Sequence, residues 1–260
     1  MEEVFRLIEH VDIFLLVFAR ILGIFLSVPI FNNTNIPSYI KIGFSLIVAL
    51  ILFPVIQIPS DLVYQSIYAL IFSTIQEVLF GIAIGFICYL FFSSLYLAGH
   101  LIDMEMGFSI INVMNPQDDT EIPLIANLFY ILASLIFLAI NAHHVLIQAL
   151  KYSFEKIPLG FFHINPLMLD QLIQIITFTF IIGFKMAAPV VITLFMANIL
   201  LGILARTMPQ MNVFIVGLPL KILLGLIILL LIFPLYIPIF ENLFDRMFEA
   251  LNQFLNIILR

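Results

Sequence analysis

Apolar residues run along this chain in long stretches near 13–31, 42–58, 67–99, 122–150, 172–204 and 213–240. A helix needs about 20 mostly apolar residues to cross the hydrocarbon core of a bilayer, and several of these runs exceed that. No strand-like alternation with a period of two is visible, and open strand edges cannot be satisfied in lipid. The pattern therefore predicts an all-α, multi-helix integral membrane protein with about six apolar helices. Short polar connections join them at Asn32–Lys41, Gln57–Gln65, His100–Glu121, Lys151–Gln171 and Arg206–Asn212. The last stretch reads differently. From Phe240 onward, Leu243, Phe244, Met247, Leu251, Phe254 and Leu255 recur every three or four positions, with Glu241, Asp245, Arg246 and Glu249 between them. That spacing predicts a C-terminal amphipathic helix over 240–260, lying against a partner helix or a membrane surface rather than crossing. A single membrane-embedded domain over 1–260 is expected.

Composition strengthens this reading. Hydrophobic residues make up 63% of the 260 and charged residues 10%, against roughly 45–50% and about 25% in an average soluble domain. A soluble fold of this size cannot hide so much apolar surface, so a typical soluble enzyme is excluded. The net charge of −6 and the scattered Lys and Arg argue against nucleic-acid binding. With only Cys88, no internal disulfide or cysteine metal cluster can form. There is no Trp, so the usual interfacial anchor is missing. Residues 1–12 carry Glu2, Glu3, Glu9 and Asp12 against Arg6, which predicts that no secretory signal is cleaved here. No H-E-x-x-H, G-x-S-x-G or G-x-x-x-x-G-K occurs, so neither a catalytic set nor a cofactor is expected.

Arg20, Glu77, Lys185 and Lys221 interrupt apolar runs, and Arg206 ends one. A charge at a lipid-facing helix centre costs about 2.5–3.5 kcal/mol, so these side chains are expected at a partner, a polar cavity or the interface. One reading makes Glu77 a proton or cation site with Lys185 as counter-ion, in an ion-coupled small-molecule transporter. The other pairs them with further charges, or with helix ends, inside an assembly. Gly81 with Gly85, and Gly183 with Ala187, place small residues four apart and predict close helix packing. Pro29, Pro54, Pro189, Pro209, Pro219, Pro234 and Pro238 are expected to kink or end helices, giving half-length helices and hairpins. The connection from His100 to Pro123 holds Asp103, Glu105, Asp118, Asp119 and Glu121 without Lys or Arg. These acids lack the spacing of a calcium loop and read as a solvated acidic rim. Between them lies the apolar stretch Phe108–Met114, bracketed by the turn-forming Gly107 and Asn115-Pro116.

Ala19-Arg20-x-x-Gly23 with Val28-Pro29-Ile30-Phe31 resembles the opening of the flagellar export-gate family FliR, whose injectisome counterpart is the SctT type. Glu77-x-x-x-Gly81-x-x-x-Gly85-Phe86 is similar to its third apolar segment, and Ala98-Gly99-x-x-Ile102-Asp103-x-x-x-Gly107-Phe108-Ser109 with Pro116 to its central loop. Ser153-Phe154 and Pro158-x-Gly160 follow, then Ala188-Pro189-Val190, Asn198, Gly202, Ala205-Arg206, Pro209-Gln210-x-Asn212, Gly217-x-Pro219-x-Lys221 and Gly225. The resemblance implies a P-like part fused to a Q-like hairpin, in a gate core built with P-type and Q-type subunits. FlhB-like and FlhA-like export proteins, membrane lipid and unfolded exported proteins are the implied further partners. The implied location is the bacterial inner membrane at the flagellar basal body, with much of the core raised out of the membrane plane. Burial of an apolar loop in a narrow pore would recover roughly 1.5–3 kcal/mol per large side chain. With the resemblance, this makes Phe108, Ile110, Ile111, Val113 and Met114 a candidate channel plug, hinged at Gly107 and Pro116.

Overall fold

The computed structural model describes residues 11–32, 36–56, 66–108, 123–160, 165–208, 210 and 212–258. Seven α-helices and one short 3-10 turn are found among them, with no strand. They are α1 (Val11–Ser27), α2 (Ser38–Leu52), α3 (Ile67–Met106), α4 (Leu124–Ala139), α5 (Ala142–Lys156), α6 (Pro166–Thr207) and α7 (Val213–Ile258). Among the described residues, four stretches are long and apolar enough to cross a membrane: Ser38–Val55, Ile67–Met106, Pro166–Thr207 and Ile215–Ile257. A fifth exists if α4 and α5 together make one broken span. The six apolar runs therefore do not map one to one onto crossings. The run at 13–31 becomes a 17-residue helix whose Leu16, Val17, Ile21 and Ile24 are wholly buried in protein, so its hydrophobicity reflects core packing.

Prolines break fewer helices than the sequence suggests. Pro189 lies inside α6, and Pro219, Pro234 and Pro238 lie inside α7. The run at 122–150 breaks instead at a residue with no ring. Asn141 has φ 57°, in the left-handed region that ends helices, and α5 starts directly after it. The C-terminal amphipathic stretch is likewise no separate element. It is the last part of the 46-residue α7, where Phe244, Met247, Leu251, Phe254 and Leu255 are buried and Glu241, Asp245 and Glu249 are exposed.

The chain forms two compact units. The first contains Met1–Phe91, Asn141–Ile175 and Phe244–Arg260, the second Phe92–Ile140 and Ile176–Leu243. In the first, α1 packs on α2 through Phe25, which meets Phe31 and Phe44 edge-on at 4.7 and 5.0 Å between ring centres. Gln171 Nε2 donates to the Ala250 carbonyl at 2.9 Å, tying the start of α6 to the end of α7. In the second, Phe129 stacks edge-on against Tyr236 and Phe240, and the Tyr236 hydroxyl donates to the Met186 carbonyl at 3.0 Å.

The closest helix approach in the first unit is made by glycines. A Cβ on Gly81 would overlap the Arg20 carbonyl, and one on Gly23 would stand 3.1 Å from Gly81 Cα. One turn further, a Cβ on Gly85 would stand 3.0 Å from the Ile24 carbonyl. The α1 and α3 backbones therefore touch over two turns. In the second unit, Gly183 faces the Ser94 carbonyl, where an added Cβ would sit 2.9 Å away, and Ala187 one turn on is buried. Side chains forced into such contacts cost about 1–3 kcal/mol or more. Gly81→Val is expected to reduce severalfold the monodisperse full-length chain recovered in detergent, read by size-exclusion chromatography. Gly43→Ala, where an added Cβ would meet nothing within 4 Å, should leave that recovery unchanged.

Candidate functional site

The α1–α3 contact brings two charges together. Arg20 lies three residues before Gly23 and Glu77 four before Gly81, so each shares a face with its glycine. Both side chains are fully buried and form a two-pronged ion pair. Arg20 Nε donates to Glu77 Oε2, and Nη2 to Oε1 at 3.1 Å. The other guanidinium hydrogens go to the end of α5, to the Ser153 carbonyl at 3.0 Å, the Ser153 hydroxyl oxygen at 3.5 Å and the Ile157 carbonyl at 3.2 Å. These carbonyls belong to the last turn and cap of a helix, where a cation is favoured, and that of Ser153 also accepts the Ile157 amide at 3.0 Å. The rings of Phe80 and Phe154 flank the guanidinium at 4.7 and 4.4 Å.

Glu77 does a second task. Its Oε1 accepts the Gly160 amide at 2.8 Å. Gly160 has φ 78°, a conformation that costs glycine little and other residues more. One ion pair thus joins α1, α3, the end of α5 and the turn after it.

A second polar centre lies in the second unit. The sequence read His100–Glu121 as a connection, but α3 continues helically to Met106 because no breaker precedes Gly107, whose φ is 88°. Asp103 is therefore no solvated rim acid. It is 2% exposed, and its carboxylate accepts the amides of Ile125 at 3.0 Å and Ala126 at 3.1 Å. These are first-turn amides of α4, preceded by Pro123, which offers no capping side chain. A carboxylate there satisfies orphan donors and favours the helix dipole. Gly99, one turn before Asp103, permits the approach, since a Cβ on it would run into Ala126 Cα.

The remaining candidates are dispersed. Lys185 and Arg206 are exposed and Lys221 is half-buried. None forms an ion pair with a described residue, where Arg20–Glu77 and Lys151–Glu155 are the pairs found. Arg206 lies in the last turn of α6, favourable for a cation. Among the described residues no group of three His, Cys, Asp or Glu side chains could hold a metal ion. Both Glu77 oxygens are engaged by protein, which leaves the transporter reading without support. Of the plug candidates, Phe108 is half-buried beside Gly107. Ile110, Ile111, Val113, Met114 and Pro116 lie outside the described residues.

An all-α protein with several membrane-length helices, pinned by a buried ion pair, defines a multi-helix membrane class. Comparison with known proteins narrows it. The profile of bacterial export proteins, family 1, matches residues 11–247, and the chain belongs to this family. It is 40% identical over 228 residues to the flagellar biosynthetic protein FliR of Bacillus subtilis (strain 168), covering 86% of each chain. It is 30% identical over 207 residues to FliR of Escherichia coli (strain K12), covering 80% of this chain and 78% of that one. FliR of Aquifex aeolicus (strain VF5) is 31% identical over 221 residues, 85% of each.

Removing Arg20 leaves Glu77 buried and unpaired, and such breakage costs about 3–5 kcal/mol. Arg20→Ala is expected to lower the midpoint of denaturant unfolding in micelles sharply, while Arg20→Met with Glu77→Met recovers much of the loss. Equal destabilisation in the double variant would show that the pair is not what the site depends on.

Asp103→Ala should cost about 0.5–2 kcal/mol, the range for a lost N-terminal cap. It should also speed hydrogen exchange at the amides of Ile125 and Ala126 relative to those of α7.

Proposed function

We infer that this chain is a subunit of the flagellar type III export gate, which helps form and close the channel through which unfolded flagellar proteins cross the inner membrane. The observation that carries this is the 40% identity, over 86% of both chains, to a protein named for flagellar biosynthesis. Family membership over residues 11–247 supports export as its general task. The apolar helices support a multi-pass location, which we assign to the bacterial inner membrane at the flagellar basal body. P-type and Q-type subunits are its proposed neighbours, with FlhB-like and FlhA-like proteins as further partners. A structural rather than enzymatic part fits a polar centre in which every strong donor and acceptor is spent on the fold. The long α6 and α7 suit the Q-like hairpin expected at the C-terminal end.

Deleting the gene should abolish swimming and the appearance of flagellin in the medium, and plasmid-borne wild type should restore both. Normal flagellin export without the chain would sink the reading. The plug is part of the same proposal. Removing Ile110–Val113 from a gate that still assembles should make membranes leaky to small ions while part of the export persists. A tight membrane after that deletion would assign the segment to fixed packing.

A further inference from the structure

Between α3 and α6, within the second unit, lies an apolar trough of about 230 Å3. The half-buried Ala188 lines it beside the buried Ala187, and Met104, Phe184 and Ile192, each about half-exposed, stand around it. It contains one charged group, Glu105. Asn198 Nδ2 donates to Glu105 Oε2 at 3.2 Å, and no described residue donates to Oε1 or brings a cation to it. A carboxylate set in apolar helix surface is costly without a counter-charge. We propose that this trough is the docking surface for an apolar helix of a different polypeptide carrying one lysine, whose ammonium pairs with Glu105.

Three observations select that occupant. The small side chain of the half-buried Ala188 allows another helix backbone to come close. One Glu105 oxygen is already held by Asn198. The remaining oxygen suits the point charge of an ammonium better than the two-pronged guanidinium of arginine, and a lysine stem can lie along apolar walls. The chain itself is a poor source. Residues 109–122, which follow closely, carry Asp118, Asp119 and Glu121 and no Lys or Arg. A second copy related by a twofold axis would bring trough against trough, and so acid against acid. Lys185 offers no way out. Phe184 beside it lines the same trough, yet Lys185 forms no ion pair with Glu105 or any other described carboxylate.

The test uses the full chain in its native membranes, treated with dicyclohexylcarbodiimide. This reagent joins a carboxylate to a touching amine and takes up the water released. Linked peptides are then sequenced by mass spectrometry. The expected product joins Glu105 to a lysine within an apolar stretch of another polypeptide. That product must be absent in Glu105→Gln, which has no carboxylate to activate, so its absence confirms the linked position. Ala188→Leu, which fills the trough and leaves the carboxylate intact, should lower the yield, at equal amounts of full-length chain, about tenfold or more. A link to a lysine of this same sequence would overturn the proposal. So would recovery of Glu105 only as its carbodiimide adduct, or an undiminished link in Ala188→Leu. The assignment stands on the trough alone and survives failure of the flagellar reading.

Discussion

The bond between Arg20 and Glu77 is the constraint on which the first unit depends. A guanidinium offers five N–H donors and cannot shed its proton, so its burial demands a full set of acceptors. Glu77, Ser153 and Ile157 supply that set. The glycine contact and the ion pair need each other. Gly23 and Gly81 bring the backbones close enough for the side chains to meet, and the pair in turn fixes register. Sliding α1 along α3 by one turn would strand two charges in an apolar interior, at a cost no apolar rearrangement offsets.

Much of this was legible in the sequence, but in pieces. The all-α class follows from run length, and Arg20, Glu77, Gly81 and Gly85 stand out as charges and small residues in apolar surroundings. Their meeting was implicit in helical spacing. Once Gly81 lies against Gly23 and Gly85 against Ile24, so that the two helices run the same way, residues three and four positions earlier face each other as well. What spacing could not reveal is the third side of the site. Ser153, Phe154 and Gly160 emerged as fragments of a family pattern, because backbone carbonyls and a glycine amide leave no chemical signature in a sequence. The helix ends show a related limit. Proline was read as a breaker, yet α7 holds three, and the chain turns at Asn141. Proline removes one donor and crowds one carbonyl, which a long packed helix can absorb. A left-handed residue reverses the backbone twist outright.

Asp103 shows how context inverts the meaning of an acid. Among five carboxylates without a base it looks like a hydrated rim, because sequence counts charges and not amides. In the fold its counter-charge is the positive end of α4, made of N–H groups that no residue code records. Glu105, two residues on, faces the trough instead and is partnered by a side-chain amide. Two acids on one helical turn therefore serve different surfaces, since neighbouring positions point in different directions.

The lengths of α3, α6 and α7 carry a consequence for the solvent of this chain. At 1.5 Å per residue their 40, 42 and 46 residues extend about 60, 63 and 69 Å. The hydrocarbon core is about 30 Å thick, and even a 40° tilt would leave α6 spanning roughly 48 Å along the normal. About 18 Å along the normal, or roughly 24 Å of helix, then lies beyond the oily slab at one end or the other. Toward the two ends of α6, beside Asp170 and Arg206, Leu167, Leu169, Ile173, Leu200 and Ile203 are all exposed. Bilayer and water together cannot wet such a rod evenly. For part of its length, the medium that matches its surface is another protein.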